Sequence, residues 1–398
     1  MTVLQDKTIV LGITGSIAAY KAAELAGALV GAGAVVDVVM TEAAQKFISP
    51  LTMRAITHRP VAADMWEPPV NFEIGHISLA EGADILLIAP ATANIIAKLA
   101  NGIADDLLSA TAIATKAPIV IAPAMNDNMY SHSATQENIA RLISRGISFV
   151  EPGFGRLASG KIGQGRLAGH EEILGVLGMV LGRQGELAGW KVVVTAGGTR
   201  EPLDPVRYLG NRSSGKMGYA LAEAARDRGA QVLLVSASNI PAPAGVEAKY
   251  VGTALQMQAA VTEAAIGADV LIMAAAVADY QAKDVAVQKI KKTDELLRVE
   301  LRRTPDILRD VQGSFLRVGF AAESEDLVVN AKRKLVEKGL DLVIANDITE
   351  TGAGFEANFN RVTIIGRDGG METLPLLAKR DVADRVLDAV VKIGKPQG

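Results

Sequence analysis

Short apolar strands that run into small-residue turns and then into helices occur in two sets along this chain, and that pattern admits few folds. Thr8–Ile13 is apolar and rich in β-branched residues, Thr14-Gly15-Ser16 turns, Ile17–Val30 has helical composition, Gly31–Ala34 breaks it, and Val35–Met40 is strand again. Further strands are expected at Ile85–Ala89 and Ile119–Ala122. The pattern restarts at Trp190: strand Lys191–Thr195, turn Gly197-Gly198, helix Lys216–Arg228, strand Gln231–Ser236, then strands Val270–Ala275 and Leu340–Ala345. Unbroken apolar strands separated by helices belong to a parallel sheet covered on both faces. The expected class is α/β, with two Rossmann-like doubly wound domains.

Between the two sets, Leu181–Gly189 is Gly-rich and aperiodic, which marks a boundary. The expected organisation is a first domain at 1–182, a linker at 183–189 and a second domain at 190–398. A length of 398 residues suits two cores of ordinary size. Gly155–Gly169 is a second glycine-dense segment, this time inside the first domain. It reads as a flap near a site, although an ordinary surface loop has the same composition.

Composition removes several classes of function. A net charge of −3 gives no overall basic surface for nucleic acid, so a polyanion must be held by local lysines and arginines. The absence of cysteine excludes disulfides, thiolate metal ligands and a protein thiol nucleophile. No basic stretch followed by an apolar core opens the chain, and the apolar run Asp269–Asp279 stops well short of the ~20 residues of a membrane span. A soluble, cytoplasmic protein without a membrane partner is expected.

In doubly wound sheets the ligand lies beyond the carboxyl ends of the strands. In the first half those ends carry Gly15-Ser16, Thr41, Ala91-Thr92-Ala93-Asn94 and Pro123-Ala124-Met125-Asn126. Gly15 and Ser16 open a helix, a place where backbone N–H groups favour phosphate. The dinucleotide fingerprint is missing, and the second strand ends at Met40-Thr41 rather than at an acid, so a mononucleotide is favoured over NAD. A plain turn without ligand fits these residues equally well. His76 and Asn126 are, by residue type alone, a structural histidine and a turn-forming amide.

Together, however, Gly15-Ser-Ile-Ala-Ala-Tyr-Lys21, Gly75-His76-Ile77, Ala89-Pro-Ala-Thr-Ala-Asn94 and Pro123-Ala-Met-Asn126-Asp-Asn-Met129 resemble the flavin-dependent cysteine decarboxylase family. The resemblance covers most of 1–180. It implies FMN, with phosphate near Gly15, Ser16 and Ile17 and further contacts from Thr41, Thr92, Asp105, Asp106 and Met125. It also implies oxidation of a substrate's cysteine thiol to a thioaldehyde, loss of carbon dioxide and return of the electrons, with His76 as base and Asn126 holding the carboxylate. Members that serve coenzyme A synthesis carry a flap cysteine as proton donor; here Ala158-Ser159-Gly160-Lys161 puts Ser159 in its place. A hydroxyl is a much poorer donor than a thiol of pKa ~8.5. Ser159 is therefore expected to replace the donor imperfectly. The alternatives are a flavin half limited to oxidative decarboxylation, or a non-catalytic flavin-binding scaffold.

In the second half, Thr195–Tyr208 follows a strand and Asn211-Arg-Ser-Ser-Gly-Lys-Met-Gly218 opens a helix, offering donors to an anion without matching a phosphate-loop pattern. Asp279 ends a buried strand and Lys289-Ile-Lys291-Lys292 follows; several lysines with one acid suit a triphosphate and Mg²⁺. A solvated charged face accounts for most such runs, including Lys332–Lys338. These motifs, with Pro305-Asp-Ile, Gly319-Phe-Ala-Ala-Glu323 and Leu340–Asp347, resemble the phosphopantothenate–cysteine ligases that bacteria fuse to the decarboxylase. That likeness implies CTP, activation of 4′-phosphopantothenate as an acyl-cytidylate, and attack by the amine of L-cysteine. It assigns Asn211 to the acyl intermediate and Lys289 to the first step. Ala274, Ala275, Ala276, Asp279, Lys289, Pro305, Asp306, Ile307, Leu308, Phe320, Lys334 and Lys338 would hold CTP, with Asp279 also on Mg²⁺. It further implies a homo-oligomer, a dodecamer in the fused proteins, and two consecutive steps of coenzyme A biosynthesis.

Overall fold

The computed structural model describes residues 3–66, 75–292, 297–323, 325–347 and 357–396. Of the sequence motif around His76, Glu73 and Ile74 lie outside the described residues. The chain divides into two compact units, 2–181 and 182–398.

In the first unit, β1 (Thr8–Ile13), β2 (Val35–Met40), β3 (Val61–Ala62), β4 (Ile85–Ala91), β5 (Ile119–Pro123) and β6 (Ser148–Phe149) form one parallel sheet. Its order is β3-β2-β1-β4-β5-β6, so the chain reverses direction between β1 and β4. The helices are α1 (Lys21–Gly31), α2 (Glu42–Gln45), α3 (Pro50–Thr57), α4 (Gly75–Gly82), α5 (Ala93–Asn101), α6 (Leu107–Ala114), α7 (Asp127–Ser131), α8 (Ser133–Ser144) and α9 (His170–Leu181). Successive side chains of a strand serve opposite faces. Val10, Ile88 and Ile121 pack with Ile95, Leu99, Leu108 and Leu142 on one side, while Ile9, Leu11 and Ile13 are fully buried on the other. Each such side chain contributes about 1.5–3 kcal/mol by leaving water. The glycine-dense segment is more ordered than a loop: β7 (Gly153–Arg156) and β8 (Ile162–Arg166) form an antiparallel hairpin.

The second unit is built on β9 (Lys191–Ala196), followed by the hairpin β10 (Arg200–Pro202) and β11 (Tyr208–Gly210), helix α10 (Lys216–Arg226), β12 (Gln231–Ser236) and β13 (Glu247–Tyr250). Helix α11 (Ala254–Ala264), β14 (Val270–Met273), β15 (Tyr280–Ala282), β16 (Leu301–Arg303), α12 (Ile307–Asp310), β17 (Leu316–Glu323), α13 (Leu327–Glu337) and β18 (Leu342–Asp347) come next. The chain finishes with β19 (Phe359–Asn360), β20 (Val362–Gly366), β21 (Met371–Thr373), β22 (Leu377–Ala378) and α14 (Lys379–Ile393). The main sheet runs β13-β12-β9-β14-β17-β18-β20-β21, with its reversal between β9 and β14. β20 and β21 are antiparallel, so the sheet is parallel with an antiparallel edge. Helices α10 and α14 cover the face bearing Val192, Val194, Leu342 and Ile344. Helices α11, α12 and α13 cover the face bearing Val193, Leu271 and Val343.

The segment 183–189, read from sequence as a linker, is built into this second unit. Leu187 is fully buried in the α10–α14 core, and its amide donates to the Arg228 carbonyl at 2.9 Å. One apolar residue among glycines and charges is too little signal to reveal such packing.

Candidate active sites

In the first unit, the residues expected at the ligand crevice share one local role. Ser16, Thr41, Thr92, Asp106 and Asn126 each cap a helix that starts at the carboxyl edge of the sheet, and each side chain accepts a backbone N–H of its own helix. Such a cap stabilises by about 1 kcal/mol and directs positive helix ends toward the crevice. Hydrogen bonds join them across the reversal of the sheet. The Ser16 hydroxyl donates to the Ala124 carbonyl at 3.2 Å, the Thr14 hydroxyl to the Pro90 carbonyl at 2.7 Å, and the Thr92 amide to Thr14 Oγ1 at 3.1 Å. Gly15 and Ile17 flank Ser16, and Ile17 is exposed. Five capped helix starts thus gather along this edge, an arrangement that suits a phosphate-bearing mononucleotide.

Asp105 and Asp106 are tied to one cation. Lys98 Nζ lies 2.6 Å from Asp105 Oδ1 and 2.7 Å from Asp106 Oδ2. Burial alone would raise the Asp106 carboxyl, but hydrogen bonds from Lys98 and Ser109 outweigh it and hold the group below the usual carboxylate range. Burial opposes the charge of Lys98 too, yet the two carboxylates hold its ammonium above its ordinary value. The trio, one ammonium shared by two carboxylates, carries a net charge of −1 and braces the start of α6.

The hairpin lies on the Asn126 loop through its glycines. Gly163 and Gly165 are buried while Ile162, Gln164 and Arg166 are exposed, so alternation puts the glycines on the underside. A Cβ on Gly165 would come within 2.2 Å of the Met125 carbonyl, and one on Gly163 within 2.9 Å of Asp127 Cβ. The Met125 amide donates to the Gly165 carbonyl at 2.9 Å. Asn126 Oδ1 accepts the Asn128 amide at 3.0 Å, which orients the side chain and leaves its NH₂ for a ligand. Ser159 sits exposed in the turn closed by Leu157 and Lys161, away from the glycine face. Half-buried His76 occupies the first turn of α4. Among the described residues no hydrogen bond or ion pair ties His76 or Ser159 to Asn126. Sequence reasoning missed Asp127: its Oδ1 is buried under the hairpin, without a partner among the described residues.

In the second unit a cavity of about 1030 Å³ opens over the carboxyl edge of the sheet at its reversal. It is lined by Asn211, Ala274, Ala275, Ala276, Asp279, Pro305, Asp306, Ile307, Leu308, Phe320, Lys334 and Lys338, all expected from sequence. Lys289 is not among the lining residues; it is exposed, on a loop whose Ile290 amide donates to Asp204 at 3.1 Å. Asp204 also accepts the Val206 and Arg207 amides, so that loop is anchored to the Thr195–Tyr208 motif. Asn211 Nδ2 donates to the carbonyls of Ala276 at 3.3 Å and Val277 at 3.2 Å. This leaves its Oδ1, an acceptor, for a ligand. Lys338 pairs with Asp306 at 3.2 Å.

The walls are strongly cationic: Arg212, Lys216, Arg303, Arg309, Lys334, Lys338 and Lys379 line the cavity with the carboxylates of Asp279 and Asp306. Among the described residues no group of three potential metal ligands occurs, so a cation here would depend on oxygens brought by an anionic ligand. Sequence reading missed Asn346, Asn360 and Lys379. The Oδ1 atoms of the first two are buried without a partner among the described residues, and Lys379 is only 6% exposed. Single polar residues at strand ends carry no motif that would single them out.

Comparison with known proteins agrees with this two-site layout. Residues 2–181 match the family model described as Flavoprotein, and 187–393 match that of the DNA/pantothenate metabolism flavoprotein C-terminal domain. The coenzyme A biosynthesis bifunctional protein CoaBC of Bacillus subtilis is 44% identical over 99% of this chain and 99% of its own. The protein of that name from Vibrio cholerae is 45% identical over 98% of this chain and 99% of its own. The one from Escherichia coli K12 is 43% identical over 98% and 97%. Relatives of this kind, matched along both halves, do not favour an incomplete decarboxylase or a non-catalytic scaffold.

Proposed function

This chain belongs to the family of bifunctional coenzyme A biosynthesis proteins, uniting a flavoprotein decarboxylase with a ligase, and we propose the following division of labour within it. Residues 1–182 decarboxylate 4′-phosphopantothenoylcysteine to 4′-phosphopantetheine using FMN. Residues 190–398 first make that substrate from 4′-phosphopantothenate and L-cysteine at the expense of CTP. The cationic cavity of the second unit carries the reading, because a triphosphate and a phosphorylated acid together need many positive groups in one place.

In the first unit, the capped helix starts at Ser16, Thr41 and Thr92 would hold the FMN phosphate and ring system, with Gly15, Ile17, Asp105, Asp106 and Met125 alongside. FMN bound there would supply the two-electron oxidation of the thiol-bearing carbon and its reversal once carbon dioxide is lost. The free NH₂ of Asn126 would hold the leaving carboxylate without adding charge. His76 would take the thiol proton, and Ser159 would pass a proton back from the hairpin.

In the second unit, Ala274–Ala276, Pro305–Leu308, Phe320, Lys334 and Lys338 would hold CTP. Asp279 would bind Mg²⁺ together with the triphosphate, as one carboxylate plus substrate oxygens suits that ion. The substrate carboxylate attacks the α-phosphorus and pyrophosphate leaves, assisted by Lys289 moving in from its anchored loop. Asn211 Oδ1 would accept a hydrogen bond from the acyl portion. Assembly as a homo-oligomer, a dodecamer by resemblance, and a cytoplasmic location complete the reading; among the described residues no helix is long and apolar enough to cross a membrane.

Mass spectrometry of purified protein with 4′-phosphopantothenate, cysteine, CTP and Mg²⁺ tests the whole. Reduced 4′-phosphopantetheine with CMP is expected. No amide product would overturn the ligase assignment, and phosphopantothenoylcysteine alone would overturn the flavin half.

A further inference from the structure

The cavity spans both faces of the sheet, and its two ends differ in chemistry. One end lies against α12 and α13, with Lys334 and Lys338. The other lies against the starts of α10 and α14, with Lys216 and Lys379. Leu342 and Ile344 point into the α10–α14 core. Asn346 continues the same row two residues on, so its side chain lies on that face. Asn346 pairs with Val362, two residues beyond Asn360, and Asn360 pairs with Leu377, two residues before Lys379. The corner is tied together at Asn358, whose carbonyl accepts the Lys379 amide at 3.0 Å and whose Oδ1 accepts Lys216 Nζ at 2.7 Å.

One feature of this corner is costly unless something binds there. Asn346 and Asn360 are 7% and 4% exposed, and the Oδ1 of each lacks a partner among the described residues. A buried lysine stands beside them with a second lysine for neighbour. A phosphate would answer the lysines but give the two carbonyl oxygens nothing, since a phosphate dianion has no hydrogen to donate. An α-amino acid answers both: a carboxylate for the cations and an amine for the acceptors.

We infer that this corner seats the incoming cysteine, its carboxylate on Lys379 and Lys216 and its amine on Asn346 Oδ1 and Asn360 Oδ1. The inference rests on the ligase reading above. Neutral carboxamides hold the amine without a carboxylate to stabilise its charge, and the nearby ammonium groups favour the uncharged, nucleophilic form. The nitrogen then forms the amide bond, the anhydride C–O bond breaks, CMP leaves with the electron pair, and the nitrogen's surplus proton goes to solvent.

The test separates the two half-reactions in the full-length protein. For Lys379→Gln, the KM for cysteine is expected to rise at least tenfold, and by a larger factor than the KM values for CTP and 4′-phosphopantothenate in pyrophosphate release without cysteine. The preference for cysteine over cysteamine, which lacks the carboxylate, should shrink by the same factor. A raised KM for 4′-phosphopantothenate with an unchanged one for cysteine would overturn the inference and give the corner to the phosphate. Should Lys379→Gln fail to fold, exposed Lys216→Gln decides: a threefold or greater rise in the cysteine KM supports the site, and no rise sinks it. Wild-type protein that releases no pyrophosphate would instead remove the ligase reading itself.

Discussion

The amide of Met125 donates to the carbonyl of Gly165 at 2.9 Å, and the α-carbon of the same glycine leaves no room for a methyl group against the Met125 carbonyl. The loop that orients Asn126 and the hairpin that carries Ser159 are therefore one assembly, held by backbone contact.

Gly165→Ala should lift the hairpin. Its Cβ would approach the Met125 oxygen to 2.2 Å, at a φ of 149° that side chains resist. Decarboxylation is expected to fall at least tenfold while CTP-dependent amide formation is retained. Assaying the two steps separately on one preparation checks this, and a parallel loss of both would disprove it.

Ser159→Cys supplies a better proton donor at an exposed position that needs no repacking. Stopped-flow absorbance should show faster flavin reoxidation in the variant. Equal rates would mean that the hairpin hydroxyl has no part in the proton transfer.

Burial, reinforced by Lys216, pushes the Lys379 ammonium down to about 8 from an unfolded value of 10.5. The folded chain then binds fewer protons than the unfolded chain between those values, so this group makes stability rise with pH through that window. Below pH 8 its charge opposes folding. Lys379→Met should accordingly unfold at a higher temperature than wild type at pH 7, with the advantage vanishing near pH 10.5. A constant difference in melting temperature across that range would refute the assignment.

Asp227 joins α10 to α14: it lies 2.7 Å from Arg226 Nη2 and 2.8 Å from Arg380 Nη1, and it is 7% exposed. Asp227→Ala removes the carboxylate that Arg226 and Arg380 share, leaving Arg380 to Asp384 and Arg226 to the Ala244 carbonyl, at a cost of about 1–3 kcal/mol. Urea unfolding followed by the fluorescence of Trp190, in the same core, should show the lowered midpoint.

The repeating strands were legible because an apolar strand ending at a small-residue turn has one sensible place in a covered sheet. Thr8–Ile13, Val35–Met40 and Gln231–Ser236 fall where their apolar runs predict. The antiparallel edge at β20 and β21 was not, since pairing direction is written in the connection and not in strand composition. The cavity residues Ala274–Ala276, Asp279 and Pro305–Leu308 were readable as motifs. Lys379, Asn346 and Asn360 were not, because they come from three separate elements and meet only when β19 pairs with β22. Lys289 shows the converse: its motif is plain in the sequence, yet its loop is tethered at Asp204 rather than in the cavity wall.

Because the hairpin docks through Gly163 and Gly165, against the Asp127 side chain and the Met125 main chain, its upper row, Phe154, Arg156, Ile162, Gln164 and Arg166, lies on the opposite face and is exposed throughout. That row is an exchangeable label on a fixed mount. A combinatorial library confined to those positions should keep the hairpin seated while retuning which cysteine-tailed molecules are admitted, making this the natural place to redirect the decarboxylase toward peptides or other thiols.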